Sequence, residues 1–185
     1  MPHILIVAAT DRELCGSDGL VCGVGPVEAA ASTARALALR PFSTVLHIGL
    51  AGARGVAPGA LVVGTEAVYS DLSAQWPVVD RVSPDVGLVA AALAALPGSI
   101  SAPIQTSAAV GGTCDTVSQG PLVEAMEGFG VLRAAERAGV PAVEVRVVSN
   151  ELDERDRARW DVAGALEALE RSLPALLAAV RPASG

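Results

Sequence analysis

The chain is expected to fold as a three-layer α/β/α sandwich around a central, mostly parallel mixed sheet, and three observations carry that expectation. Near-continuous apolar runs recur along it, and a run with no polar side belongs to a strand covered on both faces. Longer alanine-rich segments separate several of these runs, and strands alternating with helices build one layered domain. With 185 residues and 51% hydrophobic content, residues 1–185 suit one core and hence a single domain.

His3 to Ala9 reads as the first strand, with Thr10, Asp11, Arg12 and Glu13 at its C-terminal end. Open α/β sheets place ligands at that end, so Glu13 is a candidate site acid as well as an ordinary loop acid. The segment LVCGVGPVEAAASTARALAL reads as strand, glycine turn and helix, with Pro26 in the first turn and an end near Leu39. Val27, Ala30, Ala34 and Leu37 are expected on its inner face. Gly23-Val24-Gly25 invites a dinucleotide reading, but Glu28 stands where a third glycine belongs, and an acid there repels phosphate.

Ser43 to Gly49 is a strand containing His47, read as a core histidine. It is expected to lead into a loop, LAGARG, whose Ala51 and Gly52 offer N–H groups to a ligand. Ala60 to Tyr69 is a long strand and Ser70 to Val82 is irregular. Pro84 to Leu96 is a helix with Ser83 as its cap. Ile100 to Val110 returns as a strand, and GGTCDTVSQG forms a glycine-containing loop.

Most candidate chemistry lies between Val123 and Asn150. A helix is expected there, with Met126 and Glu127 near its start. Gly139 supplies the left-handed end and Pro141 bars continuation. In the following strand, VEVRVVSN, a period of two puts Glu144, Arg146, Val148 and Asn150 on one face. Buried polar groups need partners, and Glu144 is the neighbour on hand for Arg146. Taken singly, Glu127 reads equally as an acid favoured by the helix dipole, and Asn150 as a turn residue. The charged run LDERDRARW is expected to face solvent, and a final helix from Asp161 to about Val180 should kink or restart at Pro174.

Thirteen basic residues, every one arginine, stand against twenty acidic ones for a net charge of -7, which excludes a basic nucleic-acid footprint. Cys15, Cys22 and Cys114 form no CxxC pair and there are two histidines, a pattern against a zinc site or disulfide framework. No metal and no organic cofactor is expected. The opening apolar run is too short for a signal peptide or membrane span, so a cytoplasmic protein with no membrane partner is expected.

The opening strand with AATDREL, the GVGPVEAA turn, HIGLAGA and above all EAMEGFGVLRAAERAGVPAVEVRVVSN resemble the nucleoside phosphorylase and nucleosidase superfamily over nearly the whole chain. MEGF, RVVSN and the ERDRARW-like tail are most similar to the futalosine hydrolase family, nucleosidases of the alternative menaquinone pathway. Methylthioadenosine and adenosylhomocysteine nucleosidases are the near relatives. The resemblance implies hydrolysis of futalosine to release hypoxanthine, a small nucleoside as binding partner, and a homodimer or higher homo-oligomer. It assigns Glu13 to activating the water, Arg146 to holding that water and its base, Met126 to packing on the ribose, and Glu127 to its 2′ and 3′ hydroxyls. Ala51, Gly52 and Ser149 complete the substrate-binding set.

Asn150 stands where adenine-specific members carry aspartate. An amide accepts from a purine N7–H while donating to a 6-oxo group, whereas a carboxylate only accepts, so hypoxanthine is the favoured leaving group. Arg12 and Arg54 are available for a phosphate, but Glu13 would repel it from the attack position, and water is the expected nucleophile. Arg12, Arg54 and Arg81 remain alternatives for the carboxylate on the ribose 5′ substituent. The connections between Glu13 and Cys22 and ahead of Glu124 are shorter than in relatives, leaving a pocket wall for a partner subunit to complete. Two other readings stay open. One is a methylthioadenosine or adenosylhomocysteine nucleosidase, which Asn150 opposes. The other is a catalytically weak nucleoside-binding homologue, which the joint presence of Glu13, Glu127 and Arg146 opposes.

Overall fold

The computed structural model describes residues 3–72, 74–110 and 122–181. Among these, the chain runs β1 (Ile4–Ala8), β2 (Leu20–Val21), α1 (Pro26–Leu39), β3 (Thr44–Arg54), β4 (Leu61–Tyr69), β5 (Arg81–Val82) and α2 (Val86–Ala95). It continues through β6 (Ile100–Thr106), β7 (Leu122–Ala125), α3 (Gly128–Ala138), β8 (Ala142–Glu151) and α4 (Val162–Ala179). Single turns of 3-10 helix cover Asp11–Leu14 and Arg157–Arg159.

Strands β2, β1, β3, β7, β6, β4 and β5 lie side by side in that order, and β8 pairs with both β3 and β4. Strands β3, β8, β4, β6 and β7 therefore return on themselves as a closed ring, with β1 and β2 extending from one side and β5 from the other. The β1–β2, β1–β3, β3–β8, β4–β6 and β6–β7 pairs are parallel, which bears out the mostly parallel mixed sheet. Small side chains allow the closure: Ala51, Ala53, Ala102, Ala125, Val62, Val123 and Val148 pack together with Ile104.

The alternation of β1 sorts the layers. Leu5 and Val7 pack with Ala29 of α1 and Val131, Leu132 and Ala135 of α3. Ile6 and Ala8 face the opposite way, into a core with Ala92 and Leu96 and with Leu169, Leu173 and Leu176 of α4. Fully burying a side chain of leucine size contributes about 1.5–3 kcal/mol, so both layers are held chiefly by these contacts. Helices α1 and α3 approach closely because residue 130 is glycine: a Cβ there would lie 2.4 Å from the Pro26 carbonyl oxygen.

Several expectations are corrected. The LAGARG segment is not a loop: Gly52–Arg54 pair with Leu122–Glu124 on one side, and Ala51–Ala53 with β8 on the other, so ladder bonds on both edges override the glycine signal. The helix expected from Val123 begins only at Gly128, because Leu122–Ala125 is a buried strand between β3 and β6. Helix α1 buries Pro26, Ala29 and Thr33 and exposes Val27 and Ala34, a rotation that an alanine-rich helix does not reveal in its sequence. Asp85, not Ser83, caps α2 by accepting from the Leu88 N–H at 2.9 Å. Helix α4 passes Pro174 without restarting, pinned to the sheet by Leu169, Leu173 and Leu176. Strand β6 stops at Thr106, and the GGTCDTVSQG loop with Cys114 lies outside the described residues.

Candidate active site

Glu13 sits in the turn after β1, and its carboxylate is fixed on both oxygens. The Thr10 N–H and hydroxyl donate to Oε2 at 3.0 and 2.7 Å, and the Leu50 N–H of β3 donates to Oε1 at 3.0 Å. The Thr10-x-x-Glu13 spacing is a capping box, in which a hydroxyl residue and the acid three positions on satisfy each other's backbone donors. Glu13 is thus buried but aimed, with its carboxylate on the wall of a cavity of about 340 Å³.

Met126 and Glu127 occupy the junction between β7 and α3 and line the same cavity. The Gly25 N–H donates to Glu127 Oε1 at 3.2 Å, and Arg146 Nη2 donates to Oε2 at 3.3 Å. The GVG turn therefore serves a carboxylate: Gly25, at φ 99°, turns its amide onto Glu127.

Arg146 is fully buried and does not line the cavity. Its Nε donates to Glu144 Oε1 at 2.8 Å, its Nη1 to the Leu50 carbonyl at 3.3 Å, and its Nη2 reaches His47 Nε2 as well as Glu127. The other ring nitrogen of His47 faces the Val7 carbonyl at 3.0 Å, and a carbonyl only accepts. Nδ1 therefore carries the proton and Nε2 offers its lone pair to Arg146. Burial, and then the guanidinium, hold the His47 pKa well below its ordinary value, so this is the satisfied core histidine expected. For Arg146, burial works against the charge, but Glu144, Glu127 and Glu13 outweigh it and raise the pKa. Burial raises the Glu144 pKa despite Arg146. Cys22 nearby is pushed up to about 12, by burial and then by Glu127.

At the other end of the cavity, a register shift between Ala51 and Gly52 puts Val148 opposite Ala51 and Asn150 opposite Gly52. The strict alternation expected for β8 therefore breaks at Ser149, and Ser149 and Asn150 both line the cavity. The Ser149 hydroxyl lies 3.2 Å from the Ala51 carbonyl and 2.8 Å from Asn150 Oδ1. Asn150 Nδ2 donates to the Glu151 carbonyl at 2.9 Å. One amide hydrogen and one lone pair of Asn150 stay available to a ligand. Ala51 and Gly52 line the cavity from β3, and a Cβ on residue 52 would lie 3.0 Å from Asn150 Nδ2.

All the candidates except Arg146 meet at this one cavity, and Arg146 lies directly behind Glu127. Of the arginines weighed for a distal carboxylate, Arg12 lines the cavity. Arg54 pairs with Asp153 at 3.0 Å and Arg81 with Glu66 at 2.8 Å, and neither is on the wall. The sequence reading missed Glu124, Leu152, Trp160, Val162 and Leu166, which are also on the cavity wall. Trp160 was legible as the one aromatic residue in a charged run. Glu124 lay hidden in a segment expected to be helical.

The geometry agrees with the comparisons. The family model described as the phosphorylase superfamily matches residues 19–183. A futalosine hydrolase of Streptomyces coelicolor is 40% identical over 183 residues, covering 83% of this chain and 75% of its own. A futalosine hydrolase of Acidothermus cellulolyticus is 39% identical, covering 93% and 80%. Among solved structures, an S-adenosylhomocysteine nucleosidase from Streptococcus pyogenes, in complex with 5-methylthiotubericidin, superposes with a TM-score of 0.84 at 21% identity, covering 98% of each chain. With a sheet and a cavity of this form, matched over nearly its whole length, the chain belongs to the phosphorylase superfamily.

Proposed function

We propose that the protein is an N-glycosyl hydrolase that cleaves futalosine to release hypoxanthine, a step of menaquinone biosynthesis by the futalosine pathway. The observation that carries this reading is the placing of Glu13 and Glu127 on one cavity wall with Arg146 beneath them. Water attacks the ribose C1′ as the bond to N9 breaks, and Glu13 takes the proton of that water. Glu127 accepts from the ribose 2′ and 3′ hydroxyls while positive charge develops on the ring, and Met126 packs against the sugar. As in glycoside hydrolysis, carboxylates stabilise an oxocarbenium-like transition state. The leaving purine takes its N7 proton from solvent water, Asn150 Oδ1 accepts from that N7–H, and Nδ2 donates to the 6-oxo group. Arg12 receives the carboxylate carried at the ribose 5′ position.

The 40% and 39% identities to futalosine hydrolases support this substrate over a methylthioadenosine-type nucleoside. No helix among the described residues is long and apolar enough to cross a membrane. We place the enzyme in the cytoplasm as a homo-oligomer whose partner subunit completes the pocket.

The test is purine release, followed by chromatography, from futalosine, inosine and methylthioadenosine offered separately without phosphate. Hypoxanthine from futalosine is the expected product. Adenine release would overturn the role of Asn150. No release from any of the three would leave a nucleoside-binding homologue.

A further inference from the structure

Glu144 is 1% exposed and is not among the residues lining the cavity. Its Oε1 accepts from Arg146 Nε at 2.8 Å, while Oε2 is buried with no hydrogen-bond partner among the described residues. A carboxylate recruited only to neutralise a guanidinium commonly uses both oxygens in a forked pair. Here one oxygen meets one nitrogen, and the two terminal nitrogens are left for other groups. Nη2 goes to Glu127 and to the lone pair of His47, and Nη1 to the Leu50 carbonyl, beside Glu13. A Cβ on residue 49 would lie 2.4 Å from Nη1 and 2.8 Å from Glu13 Oε1, so both groups converge on that glycine.

Room for Glu144 is built into the start of α3. A Cβ on residue 128 would come within 2.3 to 2.6 Å of its carboxylate atoms, so Gly128, next to Glu127, is needed for Glu144 to be there at all.

We infer that Glu144 is a positioning residue that sets the angle of the Arg146 guanidinium, and through it the separation of Glu13 from Glu127. It acts on the reaction without touching substrate, and its kinetic consequence rests on the hydrolase reading proposed above. His47 is the second brace, from the Nη2 side.

Two substitutions separate position from charge. Glu144→Gln keeps an acceptor at the Oε1 position and removes the charge. Glu144→Asp keeps the charge and withdraws it by one methylene. Positioning predicts that Glu144→Asp lowers kcat by about tenfold or more with KM little changed, and that Glu144→Gln retains several-fold more kcat than Glu144→Asp. Simple charge neutralisation predicts the reverse order. A kcat for Glu144→Asp equal to or above that of Glu144→Gln overturns the inference. The exchange rate of the Arg146 Nε–H, followed by NMR in the free protein, reads the same contact without turnover. It should stay slow in the wild type and in Glu144→Gln and become fast in Glu144→Asp, and equal protection in the two variants overturns the inference even if no nucleoside is cleaved. Absence of nucleoside cleavage by the wild type would count against the proposed function and leave this NMR test standing.

Discussion

Replacing Glu13 by glutamine probes the proposed chemistry most directly, because size is kept while the base is lost. Three donors converge on this carboxylate, from the Thr10 N–H and hydroxyl and the Leu50 N–H. An amide has one acceptor oxygen, so if it faces Leu50 its NH₂ must face the Thr10 N–H. The hydroxyl can rotate to accept, but the backbone N–H cannot. One unsatisfied buried donor costs about 1–3 kcal/mol, which a domain with 5–15 kcal/mol of stability survives. The kinetic loss should be larger. General-base help of about 10² to 10⁴ corresponds to ~2.7–5.4 kcal/mol of activation free energy at 1.36 kcal/mol per tenfold. Hypoxanthine release gives kcat, thermal denaturation confirms the fold, and calorimetric titration with the nucleoside gives affinity. The expected result is a kcat lower by two to four orders of magnitude with affinity nearly kept. A folded Glu13→Gln enzyme with kcat within about threefold of the wild type would refute the assignment of Glu13 as base.

Asn150→Asp should lower kcat/KM on a 6-oxopurine nucleoside by about tenfold to a hundredfold, as one mismatched buried hydrogen bond costs ~1–3 kcal/mol. Chromatography of released hypoxanthine and adenine shows whether preference moves toward adenine. Gly49→Ala drives a Cβ into Arg146 Nη1 and Glu13 Oε1; overpacking of this kind costs ~1–3 kcal/mol. At about 2–4 °C per kcal/mol, that loss is visible in a melting curve, and kcat should fall with it. His47 is neutral in the folded protein and takes up a proton on unfolding below its ordinary value of 6.5, so stability falls as pH falls through that window. Glu144, with its folded pKa raised above 4.5, contributes the opposite slope, its stabilisation being lost as pH rises. Denaturation curves of wild type and His47→Asn between pH 7 and 5 isolate the histidine: the difference should approach about 1.4 kcal/mol per pH unit, and parallel curves would refute it.

The parts of the fold legible in the sequence were those written in local pattern. The apolar run of β1 and the glycine and proline closing α3 each act within a few residues of one another. The closure of five strands was not legible, because the β3–β7 and β4–β8 pairings join distant segments and leave no mark in either. The same pairings explain the reading of LAGARG as a loop: its Gly52 lies within a strand and makes room for Asn150, and Gly55, at φ 77°, turns the chain only after the strand has ended. Arg146 was identified, but its place behind the wall depends on His47 and Glu144 together. The extra residue at Ser149 does leave a mark in VEVRVVSN, where Val148 falls on the polar side of the alternation and Ser149 on the apolar side, but a strict period of two carries the reading past it.

The charge of the site bears on the choice between water and phosphate. Glu13, Glu127 and Glu144 are buried around the guanidinium of Arg146, and Glu124 is buried on the cavity wall. Gathering carboxylates out of water is unfavourable unless partners or function compensate. Backbone donors from Leu50 and Gly25 compensate in part. What remains is a negative field where the ribose is proposed to lie. Such a field favours a ring that becomes cationic in the transition state and opposes a phosphate dianion entering beside Glu13. The cavity also holds Arg12, which is exposed at its edge and suits an anion remote from the reacting carbon. Negative charge at the reacting carbon with positive charge at the rim therefore fits hydrolysis of a nucleoside that carries its own carboxylate.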